Sequence, residues 1–115
     1  MTDRKTLTTW TADLRRAFPA RYPVRVYLVP VALLRKDHVE PVNGDCAFMR
    51  RTASIRIRLA NNLSVSETAT ELLHEWAHAI RWHLPDLPGD SDHDEVFSVL
   101  HGRIRQYWFP DAEAA

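Results

Sequence analysis

An α+β domain is predicted by three features of the chain. Apolar residues recur at helical spacing near both ends and in a long segment past the middle, a period of two marks the stretch between them, and Pro and Gly stand at the joints. Leu7, Trp10, Leu14 and Phe18 form the first helical stripe, and Pro19 and Pro23 end it, so a helix is expected over Thr6–Phe18. Val24–Val29 is rich in β-branched and aromatic residues and reads as a strand. Pro30–Asn43 reads as loop, with a helical turn around Ala32–Arg35. After the Asn43-Gly44 turn signal, Asp45–Arg50 is expected as a second strand and Ser54–Leu59 as a third. In the third, Ile55, Ile57 and Leu59 alternate with Ser54, Arg56 and Arg58. These two strands pair as a hairpin, burying the isoleucines and turning Arg56 and Arg58 to solvent or to a ligand.

Ser64 followed by Glu67 is a capping box, so the next helix starts at Val65 and runs to about Leu84. Its apolar arc of Leu72, Leu73, Trp76, Ala77, Ala79, Ile80 and Leu84 is wide enough for a helix covered on more than one side. Pro85, Pro88 and Gly89 make Leu84–Ser91 a loop, and Asp92 with Glu95 resembles a second capping box. A last helix then carries Phe97, Leu100, Ile104, Tyr107 and Trp108 until Pro110. The expected order is helix, three strands, helix, helix. Trp10, Trp76, Trp82 and Trp108 sit at helical positions and are expected in the core.

A chain of 115 residues supports one compact domain. A hydrophobic fraction of 45% with only three glycines argues against disorder or a linker. No run approaches the roughly 20 apolar residues that cross a bilayer, and Met1–Trp10 lacks the apolar stretch of a signal peptide, so a cytoplasmic protein without a membrane partner is expected. Cys46 is the only cysteine, which excludes an internal disulfide and a cysteine-rich zinc site. The net charge of zero hides an asymmetry: residues 1–60 hold 12 basic and 5 acidic side chains, residues 61–115 hold 3 and 10. Two halves of one domain that attract each other account for this; the competing reading is a basic patch for an anionic partner such as nucleic acid.

Within the central helix stands His74-Glu75-Trp76-Ala77-His78, a His-Glu-x-x-His motif. With about 3.6 residues per turn, His74 and His78 lie one above the other, a spacing at which two imidazoles chelate one Zn²⁺. Glu75 stands beside them, where a carboxylate takes a proton from water as general base and returns it to a leaving amine. A catalytic zinc needs a third protein ligand with one position left open. His93 leads, because it lies beyond a Pro/Gly loop that reverses the chain. Its rivals are Asp92, Asp94, Glu95 and, two turns along the last helix, His101. A second donor for the reaction's oxyanion is open among Tyr107, His101 and an arginine. His83 is turned off the ligand face and suits a helix C-terminus, while His38 is expected in a solvated loop.

The stretch from Glu71 to Phe97 resembles the catalytic core of SprT-like zinc metalloproteases, the group that includes the Spartan proteases. The likeness rests on His-Glu-x-x-His followed after about fifteen residues by a His-x-x-x-Phe element, here His93-Asp94-Glu95-Val96-Phe97, and spans about a quarter of the chain. The resemblance implies a zincin-like metallopeptidase core acting on a protein or peptide substrate, with His74, His78 and His93 as zinc ligands and Glu75 as catalytic glutamate. Asp94 stands where the family commonly has Gly, and one cysteine cannot build the zinc ribbon of many bacterial members, so the chain is similar to a core-only version. The rival is a non-enzymatic zinc-stabilised regulatory or interaction module, of the kind a phage encodes, whose site is closed by a carboxylate.

Overall fold

The structure, a computed structural model, describes residues 1–82 and 95–110. The elements are α1 (Arg4–Ala17), β1 (Val24–Val29), α2 (Val31–Asp37), β2 (Gly44–Met49), β3 (Ser54–Ala60), α3 (Val65–Arg81) and α4 (Glu95–Trp108). Among the described residues this is an α+β arrangement of four helices and one mixed three-stranded sheet. None of the described helices is long and apolar enough to cross a membrane. The loop expected over 84–91 and the Asp92 cap lie outside the described residues.

Helix α1 starts earlier than its apolar stripe, because the Asp3 carboxylate accepts a hydrogen bond from the Thr6 amide at 2.7 Å and caps the helix there. Strand β1 has the expected limits, whereas β2 is shifted back by one residue and β3 extends to Ala60. Within Pro30–Asn43 the helical turn expected around Ala32–Arg35 is present but longer, the seven-residue α2. So short a helix has little stability of its own and is held by packing, with Leu34 fully buried against Ala60 and Leu63.

The strand order is β1-β3-β2, with β1 parallel and β2 antiparallel to the central β3. One face bears Val24, Val26, Leu28, Ile55, Ile57, Leu59, Cys46 and Phe48, and on it the helices build the main core from Leu7, Leu14, Leu72, Leu73, Trp76, Phe97 and Ile104. Trp76 is fully buried, and its Nε1 donates to the Phe18 carbonyl at 2.9 Å, tying α3 to the end of α1. Trp10 and Trp108 meet edge to face across α1 and α4. Trp82 departs from the core expectation: at the end of α3 it is 51% exposed and stacks on Phe48.

The other face of the sheet carries the alternate residues, and Arg58 among them is not turned to solvent. It is 8% exposed. Its Nε donates to Asp45 Oδ1 at 2.9 Å and its Nη2 to Asp37 Oδ2 at 2.7 Å and to the second Asp45 oxygen. His38, at the end of α2, is also engaged, its Nε2 lying 2.9 Å from Asp45 Oδ2. The carboxylates of Asp37 and Asp45 reverse the expectation for Arg58, whereas His38 lies outside the helix as expected and is half-buried rather than fully solvated. Burial pushes the Asp45 carboxyl up, but the hydrogen bonds and charges of Arg58 and His38 outweigh it and hold the group below the usual carboxylate range.

The depressed Asp45 pKa means that its stabilisation is present above the unfolded carboxyl's pKa and is lost as pH falls through the folded value. Replacing Asp45 by Asn leaves the Arg58 charge buried with less compensation, and a loss of about 3 kcal/mol is expected in urea unfolding at pH 7. The difference between the two proteins should shrink in acid. A variant as stable as wild type at pH 7 would contradict the role of this cluster.

Candidate metal centre

Helix α3 is fixed at its start by the Ser64 and Glu67 capping box, in which the Glu67 amide donates to Ser64 Oγ at 3.1 Å and the Ser64 amide to Glu67 Oε1 at 3.0 Å. Its apolar arc is sunk into the core through Leu72, Leu73, Trp76, Ala77 and Ala79. That docking leaves His74 and His78 half-buried on the flank that faces α4. Their ring centroids are 4.9 Å apart and their planes nearly perpendicular.

From α4, Phe97 stacks on His78 at 4.3 Å and meets His74 edge-on at 5.2 Å. One turn on, His101 lies 5.4 Å from His74, ring to ring, and stacks loosely on Phe97. The described residues therefore bring three imidazoles around one phenyl ring: the two of the motif, and His101 as a half-buried neighbour of His74. His93, Asp92, Asp94 and His83 lie outside the described residues. Glu95, in the first turn of α4, is exposed.

Glu75 is 5% exposed. It shares a hydrogen bond with Glu71, one turn back on the same helix. Glu71, His74 and Glu75 each place one ligand-capable atom within 4.8 Å of the others. Burial pushes the Glu71 carboxyl above its ordinary range, and the hydrogen bond with Glu75 opposes that only in part. Sequence reading passed over Glu71; the signal was its spacing, three residues before His74 and four before Glu75, which places all three along one side of a helix.

A cavity of about 260 Å³ opens at this flank, lined by Glu71, His74 and His101 together with Asn43, Glu67 and Thr70. Of the groups weighed as a second donor, Tyr107 is elsewhere, its hydroxyl donating to Asp13 on α1 at 3.1 Å. Arg56 and Arg58 alternate with the core-facing residues of β3 and so belong to the opposite face of the sheet. His101 alone of the named candidates lines the cavity with His74. Among the described residues, the donor atoms within 4.8 Å of one another are one imidazole nitrogen, of His74, and the carboxylate oxygens of Glu71 and Glu75, ligand types that divalent metals accept.

Comparison with protein-family models, curated proteins and solved structures yields no match to this chain.

Cys46, on the core side of β2, is no part of the donor set. Burial first, and then the negative charges of Glu75 and Asp45, push its thiol up to about 12. The thiolate is the reactive form, so alkylation by iodoacetamide at pH 8 is expected to be negligible in the folded protein and complete in urea. Rapid labelling of the native chain would show that β2 is open at this point.

Proposed function

We propose that this chain is a zinc-dependent metallopeptidase with a zincin-like core of the SprT-like kind. The observation that carries the reading is the pairing of His74 and His78 on a helix whose other side is locked in the core, with the buried carboxyl of Glu75 beside them. His74, His78 and His93 would hold the ion, which when bound supplies a Lewis acid that polarises a peptide carbonyl and eases the ionisation of water. Glu75 takes the proton of the attacking water and returns it to the leaving amine. Glu75 is 5% exposed and lies beside His74, which keeps its carboxyl next to the site rather than in bulk solvent.

His101 supplies the second donor. It shares the cavity with His74, where an imidazole N–H can support the carbonyl oxygen as charge gathers on it. Strand β2 lies at the edge of the sheet, so its outer backbone groups can pair with an extended peptide and give binding with little dependence on side chains. A cytoplasmic setting suits a chain whose single cysteine forms no internal disulfide.

After exhaustive dialysis, one zinc per chain is expected by elemental analysis, with loss in His74→Ala. Glu75→Gln should keep the zinc and lose hydrolysis of a fluorescent casein digest by about 10²- to 10⁴-fold. No zinc in the folded wild type, even after metal is added back, would overturn the reading, as would full activity in Glu75→Gln. Stoichiometric zinc with no hydrolysis by wild type would favour the zinc-stabilised interaction module instead.

A further inference from the structure

The His-Glu-x-x-His pattern places a base next to two ligands but contains nothing that orients them. A glutamate held only by its own helix samples several rotamers, and an imidazole can present either nitrogen. Around Glu71 the chain supplies what the motif lacks.

Three observations converge on this side chain. One of its oxygens lies within 4.8 Å of a ring nitrogen of His74 as well as of the Glu75 carboxyl. Its stem is pressed against β2 at Gly44, where a Cβ would come within 3.0 Å of Glu71 Cγ. It also lines the cavity that holds His74 and His101. The glycine admits the side chain, and the strand behind it blocks retreat. A carboxyl so placed can engage one oxygen of Glu75 and leave the other for a substrate water. Within 4.8 Å of a His74 ring nitrogen, it can also accept a ring N–H there and so favour one tautomer.

We infer that Glu71 is a positioning residue of the site, orienting the Glu75 carboxyl and the His74 imidazole from its clamp against Gly44. The inference rests on the peptidase reading. Glutamine in its place keeps the shape, an acceptor for His74 and a donor for Glu75, whereas alanine keeps none of these. The two substitutions therefore separate positioning from charge and from ligation.

The test uses the full chain loaded with Zn²⁺ or, for spectroscopy, with Co²⁺ in its place. In Glu71→Ala, zinc affinity measured against a competing chelator should fall about 10- to 100-fold. The visible Co²⁺ spectrum should change, and kcat on the casein digest should drop with little change in KM. Glu71→Gln should restore affinity to within about threefold and return the wild-type spectrum. Thermal unfolding of each metal-free variant shows whether the fold is kept, so that a general loss of structure is recognised. An affinity and spectrum in Glu71→Ala equal to wild type would overturn the inference while leaving the peptidase reading intact. Loss of stoichiometric zinc in Glu71→Gln would overturn it in another way, by making Glu71 a ligand. A wild-type chain that takes up neither metal would defeat the peptidase reading and this inference with it.

Discussion

The approach of helix α3 to strand β2 at Gly44 is the contact on which the rest of the molecule depends. A Cβ at this position would lie 2.7 Å from the Arg58 carbonyl oxygen of β3 and 3.0 Å from Glu71 Cγ of α3, so any larger residue would strain the β2–β3 pairing and displace the Glu71 stem. With the hydrogen there, the helix settles deep enough to bury Leu72, Leu73 and Trp76 and to bring Glu75 near Cys46. The same depth confines Glu71. A looser fit would admit water between the sheet and the carboxyl pair, and would relieve the desolvation that shifts both Glu71 and Cys46.

The strand at that contact is held from its other side. Asp45 follows Gly44 directly, and its side chain reaches across the opposite face of the sheet to Arg58, with Asp37 and His38 completing the cluster. Buried ions gain stability only when their hydrogen bonds are satisfied, and here the guanidinium meets two carboxylates from separate elements. The cluster joins α2, β2 and β3, so it specifies where β2 lies against its neighbour. Packing on one face of β2 and ion pairing on the other thus fix the same two residues.

Buried polar groups on the helix side follow a different logic. Arg58 is surrounded by opposite charge, which suits a structural role. Glu71 and Glu75 are two acidic groups brought together, and His74 meets His78 and His101 edge to face while His78 stacks on Phe97. Placing like groups at short range in a partly dry flank costs stability unless something they bind repays it. On the proposed reading, the cation is what the set would gain from holding.

Local structure was legible wherever it follows from spacing along the chain. The alternation in Ser54–Leu59, the capping box at Ser64 and Glu67, the β-branched run of β1 and the stripes of α1, α3 and α4 each report a period or a cap that a few neighbouring residues create. The adjacency of His74 and His78 belongs to the same class, since one helical turn suffices for it. What the amino-acid sequence left open depends on residues far apart in the chain. Helix α2 reaches its full length because Ala60 and Leu63 cover Leu34, and Arg58 turns inward because Asp37 and Asp45 meet it. The parallel pairing of β1 with β3 is likewise non-local, and so is the neighbourhood of His101 and His74 from two helices. Glu71 lay between these cases: its spacing was readable, but its confinement came from Gly44 on another element. Periodicity states which side chains share a face, and only tertiary packing decides what that face meets.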